Sequence, residues 1–264
     1  MTRRAFTLIE MLVVIGLVGL VVAILLPVLA GTRERAKQTQ ALANVRTVAQ
    51  TFAAYTNTYG SHPFRARGTP IDELAAPPPP DILVVRWWPE GSILGVSDHF
   101  AQSWLWPGVV SVMSDWPENY KTWISPGRPA QLPEGPWDDD IEPMDRISVV
   151  YSNTFVARPE LFKPGSPPVP GPASEQSLLK ATRPDEVTYP AQKVMLWDRH
   201  LAYLVREPSR LGEHYRAPTP MAFADLHAET RDPTAAADGV PNVLRFGYSE
   251  RLHCTPDGIR GRDY

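Results

Sequence analysis

Hydrophobic and polar residues divide the chain into three zones. From Met11 to Ala30, twenty successive residues carry no charge. At about 1.5 Å of rise per residue, such a run makes a helix of roughly 30 Å, the thickness of a bilayer's hydrocarbon layer. From Gly31 to Tyr59 the pattern changes. Leu42, Val45, Val48 or Ala49, Phe52, Tyr55 and Tyr59 recur at three- and four-residue steps, with polar residues between them. That spacing lays one apolar stripe along a helix. No proline occurs between Val28 and His62, and Gly60 followed by Pro63 marks a stop. The two halves join without a break, which predicts a rod of roughly 80 Å from Phe6 to Tyr59.

Beyond Ser61 the apolar runs are short and bounded by turn residues. DILVVRWW (81–88), RISVVYSN (146–153), KVMLWD (193–198), AYLVRE (202–207) and MAFADLHAE (221–229) read as strands. Arg199-His200-Leu201 reads as a hairpin connection between the third and fourth of them. No helical pattern of 10–15 residues alternates with these strands, which argues against a doubly wound parallel sheet. The expected fold class is α+β: a long N-terminal helix packed on a small antiparallel β-sheet, with long Pro-rich loops.

Composition agrees with the loops. The 264 residues include 29 prolines, bunched in PPPP (77–80) and PGSPPVPGP (164–172). Proline cannot donate to a strand ladder and breaks helix interiors, so the elements stay short. A net charge of −3 leaves no electrostatic footprint for nucleic acid. Cys254 is the single cysteine, so no intramolecular disulfide forms and the thiol reads as a bystander.

Glu10 stands at the front edge of the apolar run. A carboxylate deep in lipid costs about 2.5–3.5 kcal/mol and usually faces a partner. The edge lowers that cost, yet neither a secretory signal core nor a plain anchor gains from the charge. A signal peptide is the competing reading, with Arg3 and Arg4 as its basic start and Val28-Leu29-Ala30 resembling a cleavage site before Gly31. Signal cores, however, run to about 7–15 residues. A cut between Ala5 and Phe6 would create the partner: the new amine of Phe6, on the same chain or on a neighbouring copy.

The stretch RRAFTLIEMLVVIGLVGLVVAILLP resembles the prepilin signature of the type IV pilin and type II secretion pseudopilin superfamily. It has the short basic leader, a small residue at the cut, then Phe-Thr-Leu-Ile-Glu. The usual residue before the cut is Gly; here it is Ala5. The resemblance implies a leader (1–5), a transmembrane and filament-core helix half (6–30), an amphipathic half (31–60) and a globular head (61–264). It implies cleavage between Ala5 and Phe6 by prepilin peptidase, N-methylation of Phe6, and an assembly role for Glu10 against a neighbour's N-terminus. Pro27 sits where such helices commonly kink. The implied partners are further copies or other pilin-like subunits, the peptidase and an inner-membrane assembly platform. The chain would cross the bacterial inner membrane once, N-terminus cytoplasmic and head periplasmic, before entering a periplasmic or extracellular filament. The flanking charges, Arg3 and Arg4 against Arg33, Arg35 and Lys37, do not fix this orientation by themselves.

Later stretches extend the resemblance. YKTWISPG (120–127), ISVVYSNTF (147–155), PAQKVMLWDRH (190–200) and MAFADLHAE (221–229) follow the order of a large pseudopilin-like group of planctomycete and verrucomicrobial bacteria. Ile124-Ser125-Pro126 lacks that group's cysteine. Leu226 stands where glycine is usual, which argues against a tight turn of the usual kind.

Catalytic signatures are missing: no GxxxxGK[ST], GxGxxG, HExxH or GxSxG occurs. One set of titratable residues stands out: Asp198, His200, His214, Asp225 and His227. Alternate positions on a strand share a face. Asp198 with His200, and Asp225 with His227, are therefore candidate ligands for calcium or another divalent metal. Structural hydrogen bonding is the reading expected of both pairs. The run Trp137-Asp138-Asp139-Asp140 has clustered oxygens but no EF-hand pattern, and reads as a solvated loop. Trp87, Trp88, Trp104, Trp106, Trp116 and Trp123 read as core and loop packing, with a sticky surface as the alternative. The expected function is a non-catalytic pseudopilin without cofactor, in a type II secretion pseudopilus or type IV pilus-like filament for protein export. The alternative is a secreted or membrane-anchored periplasmic protein, metal-binding through those pairs, with no filament role.

Overall fold

The first helix sets the frame for everything after it. The computed structural model describes residues 8–64, 82–87, 92–113, 116–128, 147–164, 179–204, 217–241 and 249–264, with backbone alone at 27, 28, 30, 82–87, 92–101 and 116–117. Helix α1 covers Leu8–Tyr59 as a single 52-residue element, roughly 78 Å long. It stops where the glycine requires. Gly60 takes φ 73° and its N–H donates to the Thr56 carbonyl at 2.8 Å, closing the helix with a left-handed cap.

Among the described residues, only the second half of α1 meets the head. Ala41, Val45, Val48, Ala49, Phe52 and Thr56 are buried and share one face at helical spacing. Leu42 and Tyr55 are half-buried, and Tyr59, the last member of the expected stripe, is exposed. The buried face lies on a four-stranded antiparallel sheet of order β3-β4-β5-β6: β3 Val149–Tyr151, β4 Val194–Asp198, β5 Thr219–Phe223 and β6 Ala228–Arg231. A separate antiparallel pair, β1 Ile82–Trp87 with β2 Ser92–Ser97, precedes helices α2 Asp98–Val110 and α3 Trp116–Trp123. The α+β class with a long N-terminal helix and a small antiparallel sheet holds.

Phe52 is the point where helix, sheet and tryptophans meet. Its ring lies edge-on to Tyr151 at 4.8 Å and to Trp106 at 5.3 Å. Trp106 in turn packs on Trp123 and donates its indole N–H to the Val149 carbonyl at 3.1 Å. Trp104, Trp106 and Trp123 are buried, as core packing requires of them. The side chains of Trp87, Trp88 and Trp116 lie outside the described residues, as does the acidic run 137–140.

Three expectations need correction. Residues 202–204, the part of the expected strand 202–207 that falls within the described residues, do not pair with β4 as a hairpin. Asp198 Oδ1 accepts the N–H groups of His200 and Leu201, Leu201 turns to φ 45°, and residues 202–204 form a turn. The neighbours of β4 are β3 and β5. The stretch 221–229 is a hairpin rather than one strand. Leu226 adopts φ 72° at its turn, with its N–H on the Phe223 carbonyl at 2.9 Å, so leucine occupies the left-handed position that glycine would favour. Finally, the head does contain a 13-residue helix, α2. Residues 102–107 are buried in succession, so the polar face that makes a helical stripe visible is lacking.

The C-terminal tail is bound into the sheet by a buried ion pair. Lys193 is fully buried at the entrance to β4; its Nζ donates to Thr255 Oγ1 at 2.8 Å and lies 3.4 Å from Asp263 Oδ2. Asp263 Oδ2 also accepts the Val194 N–H at 2.8 Å, and Oδ1 accepts the Thr255 hydroxyl. Burial pushes the Lys193 ammonium down from its usual range, and the Asp263 carboxylate pulls it back. Cys254, next to this cluster, is in no disulfide and is fully buried, which puts it out of reach of a bridge between folded copies.

Two stability predictions follow from these contacts. Asp263→Ala strands a buried ammonium and is expected to lower the unfolding free energy by about 3–5 kcal/mol. Lys193→Met combined with Asp263→Asn, whose amide oxygen still accepts the Val194 N–H while its NH2 donates to the Thr255 hydroxyl, should restore most of that loss in urea unfolding; an unrestored double variant would refute the ion-pair reading. His62 is buried among Phe155 and its neighbours, and neither ring nitrogen finds a hydrogen-bond partner among the described residues. Burial pushes its imidazole from 6.5 down to about 4, against the opposing pull of Glu186. The unfolded chain therefore takes up the proton first. This stabilisation is complete above pH 6.5 and falls away as pH drops towards 4, by about 3 kcal/mol. His62→Leu should lack that part of the acid-side decline when unfolding is measured across the same window.

Candidate functional site

The first half of α1 has no partner in the described head. Sixteen large apolar side chains between Leu8 and Leu29 are each at least 45% exposed. An 18-residue window of the helix has mean hydropathy 3.1, and none of it is buried. A helix suits this segment because it satisfies its own backbone N–H and C=O groups, as hydrocarbon surroundings demand. Length and hydropathy make it a candidate membrane span. The exposed stretch reaches Lys37, and burial begins at Ala41.

Glu10 falls in the first turn of α1, at an exposed position. Ala5 and Phe6, the expected cleavage and methylation residues, lie outside the described residues. Pro27 lies within the single helical element, and its side chain is outside the description.

Of the metal candidates, Asp198 and His200 come into one corner but do not converge as ligands. Asp198 is 2% exposed and binds the backbone N–H of His200 at 3.0 Å rather than its ring. The ring faces Arg128, whose Nη1 lies 3.2 Å from Nδ1 and 3.4 Å from Nε2. A guanidinium in that position repels a cation. Burial raises the Asp198 carboxyl to about 6, opposed by the Ser125 side chain, the Leu201 and His200 N–H groups and the charge of Arg128.

Asp225 and His227 do come together, but through the turn and not the strand period: both lie between β5 and β6, Leu226 between them is left-handed, and Asp225 Oδ1 accepts the His227 N–H at 3.2 Å. His227 Nδ1 lies 2.5 Å from Asp225 Oδ1, and Nε2 lies 3.4 Å from Glu229 Oε1. The ring stacks on Phe223 at 4.3 Å, and Arg231 closes the row on Glu229 at 2.5 Å. Both imidazole nitrogens are thus occupied by carboxylates in a row that fastens the β5–β6 turn. Glu229 and Arg231, alternate positions on β6, escaped the sequence reading. His214 lies outside the described residues. Among the described residues, no group of three or more His, Cys, Asp or Glu side chains is placed to hold a metal ion.

Comparison with known proteins bears on the N-terminus. A family model described as the prokaryotic N-terminal methylation motif matches residues 1–26. No curated protein and no solved structure matches the chain. That motif family is structural rather than enzymatic, and together with the apolar helix it fits membrane anchoring. Titration of the purified full-length protein with Zn²⁺ or Ca²⁺ is expected to give no stoichiometric binding; one tightly held ion, lost in Asp225→Asn, would contradict the hydrogen-bonded row. Residues 1–26 carry the type IV pilin and pseudopilin signature, which supports a type IV pilin-like precursor.

Proposed function

We propose that the protein is a non-catalytic pilin-like subunit of a type II secretion pseudopilus or type IV pilus-like filament that serves protein export. Prepilin peptidase cuts between Ala5 and Phe6 on the cytoplasmic side, and Phe6 is N-methylated. The chain spans the inner membrane once with its head periplasmic, and an inner-membrane assembly platform adds it to the filament. In the polymer the bare halves of α1 pack on one another, and the heads face outward. Glu10 of one copy pairs with the Phe6 amine of a neighbour, and α1 loosens at Pro27 during packing.

The observation that carries this reading is the row of exposed apolar side chains from Leu8 to Leu29, with Glu10 at its tip. A plain anchor would account for the row but gains nothing from an acid at the membrane edge. A neighbour's ammonium accounts for both. The motif at residues 1–26 supports polymerisation with pilin-type subunits and processing by the peptidase.

Replacing the acid tests the pairing. Glu10→Ala is expected to leave cleavage and membrane insertion intact while cutting filament yield by about tenfold or more, the factor equivalent to about 1.4 kcal/mol of lost attraction. Filaments forming at the normal rate from correctly trimmed Glu10→Ala protein would refute it.

A further inference from the structure

We infer that the head carries a binding cleft for an acidic sugar, a pyranose unit bearing a carboxylate, on the side built by its C-terminal tail. The cleft measures about 630 Å³, within the range of about 300–1,000 Å³ usual for small-molecule sites. Its walls come chiefly from the 3₁₀ turn Pro159–Phe162, residues 188–189 and tail residues 256–262. None of its lining residues belongs to α1 or to a strand. Helix α1 itself therefore takes no part in the cleft.

The lining has an unusual mixture of groups. Lys163, Arg260 and Arg262 contribute positive charge; Glu160 and Asp257 contribute negative charge. Among the described residues, neither Arg260 nor Arg262 is engaged in an ion pair. Arg262 instead lies 6.0 Å from the ring centre of Tyr189, which is itself 46% exposed. Guanidinium groups are planar donors suited to a carboxylate. The Glu160 and Asp257 carboxylates can accept hydrogen bonds from hydroxyl groups. An open tyrosine ring offers an apolar face to a flat ring of C–H bonds. A carboxylated sugar has all three complements. A phosphate polymer has one of them, and its remaining charges would meet the two carboxylates.

The cleft is held in shape before any ligand arrives. Gly258 takes φ +57° and lies so close to the Phe162 ring that a Cβ there would collide with it. The Asp257 N–H donates to the Phe162 carbonyl at 3.1 Å. Beyond the arginines, Asp263 is fixed to Lys193 and Val194. Arg260 and Arg262 thus sit on a short segment anchored at both ends, which reduces the ordering cost of binding.

The test uses full-length protein in detergent micelles, titrated calorimetrically with a short oligogalacturonate, the matching neutral oligogalactose and inorganic polyphosphate. Saturable binding of the oligogalacturonate is expected, weakened about tenfold or more by Arg260→Gln and by Tyr189→Ala, with no comparable binding of the neutral sugar. Both side chains are exposed, so melting temperatures should match the wild type and exclude misfolding. Absence of oligogalacturonate binding would overturn the inference. So would polyphosphate binding that survives Tyr189→Ala with equal strength, since that would be charge attraction alone.

Discussion

The first helix cannot face water along its N-terminal half. Each large apolar side chain gains about 1.5–3 kcal/mol when fully removed from water. Sixteen of them stand exposed between Leu8 and Leu29, and their sum exceeds the roughly 5–15 kcal/mol that holds an ordinary domain together. Whatever covers that surface is therefore part of the protein's working structure. Lipid and the same helix of another copy are the two media that fit an apolar rod with an acid at its tip.

The other half of α1 obeys a different rule. From Ala41 to Thr56 one face is committed to the sheet and the tryptophan cluster, so the head folds around the helix as its central element. Several strained or costly features in the head are tolerated because packing fixes them. Leu201 and Leu252 hold positive φ while 1% exposed, and Leu226 does so packed against the core. The left-handed conformation costs roughly 1–2 kcal/mol at a non-glycine residue, which burial of each leucine side chain offsets. The buried Lys193–Asp263 pair joins the start of β4 to the last residues of the chain, so the tail that shapes the acidic-sugar cleft is part of the same cooperative unit.

The sequence made the helix legible because its hydrophobic pattern changes once and cleanly at Gly31, and because Gly60 ends it. The strands were partly legible. Val194–Asp198 is a short apolar run between turn residues, whereas 202–204 looked equally strand-like and form a turn, since Asp198 caps the backbone beyond β4 and Leu201 turns the chain away. Helix α2 was hidden by being buried on successive residues. The Asp225–His227 pair was expected from alternation along a strand, whereas the turn at Leu226 is what brings the two side chains together. The Lys193–Asp263 pair left no local signal, because its members are far apart in sequence and each looks like an ordinary surface charge. The expectation at Glu10 rests on the opposite kind of signal: a charge where the pattern calls for none.

The most direct measurement is the mass of the mature N-terminal peptide from protein produced with a prepilin peptidase in bacterial membranes. The expected chain begins at Phe6 and carries one N-methyl group. A chain beginning at Gly31, or one that keeps Met1 to Ala5 in the presence of active peptidase, would contradict the filament-subunit account.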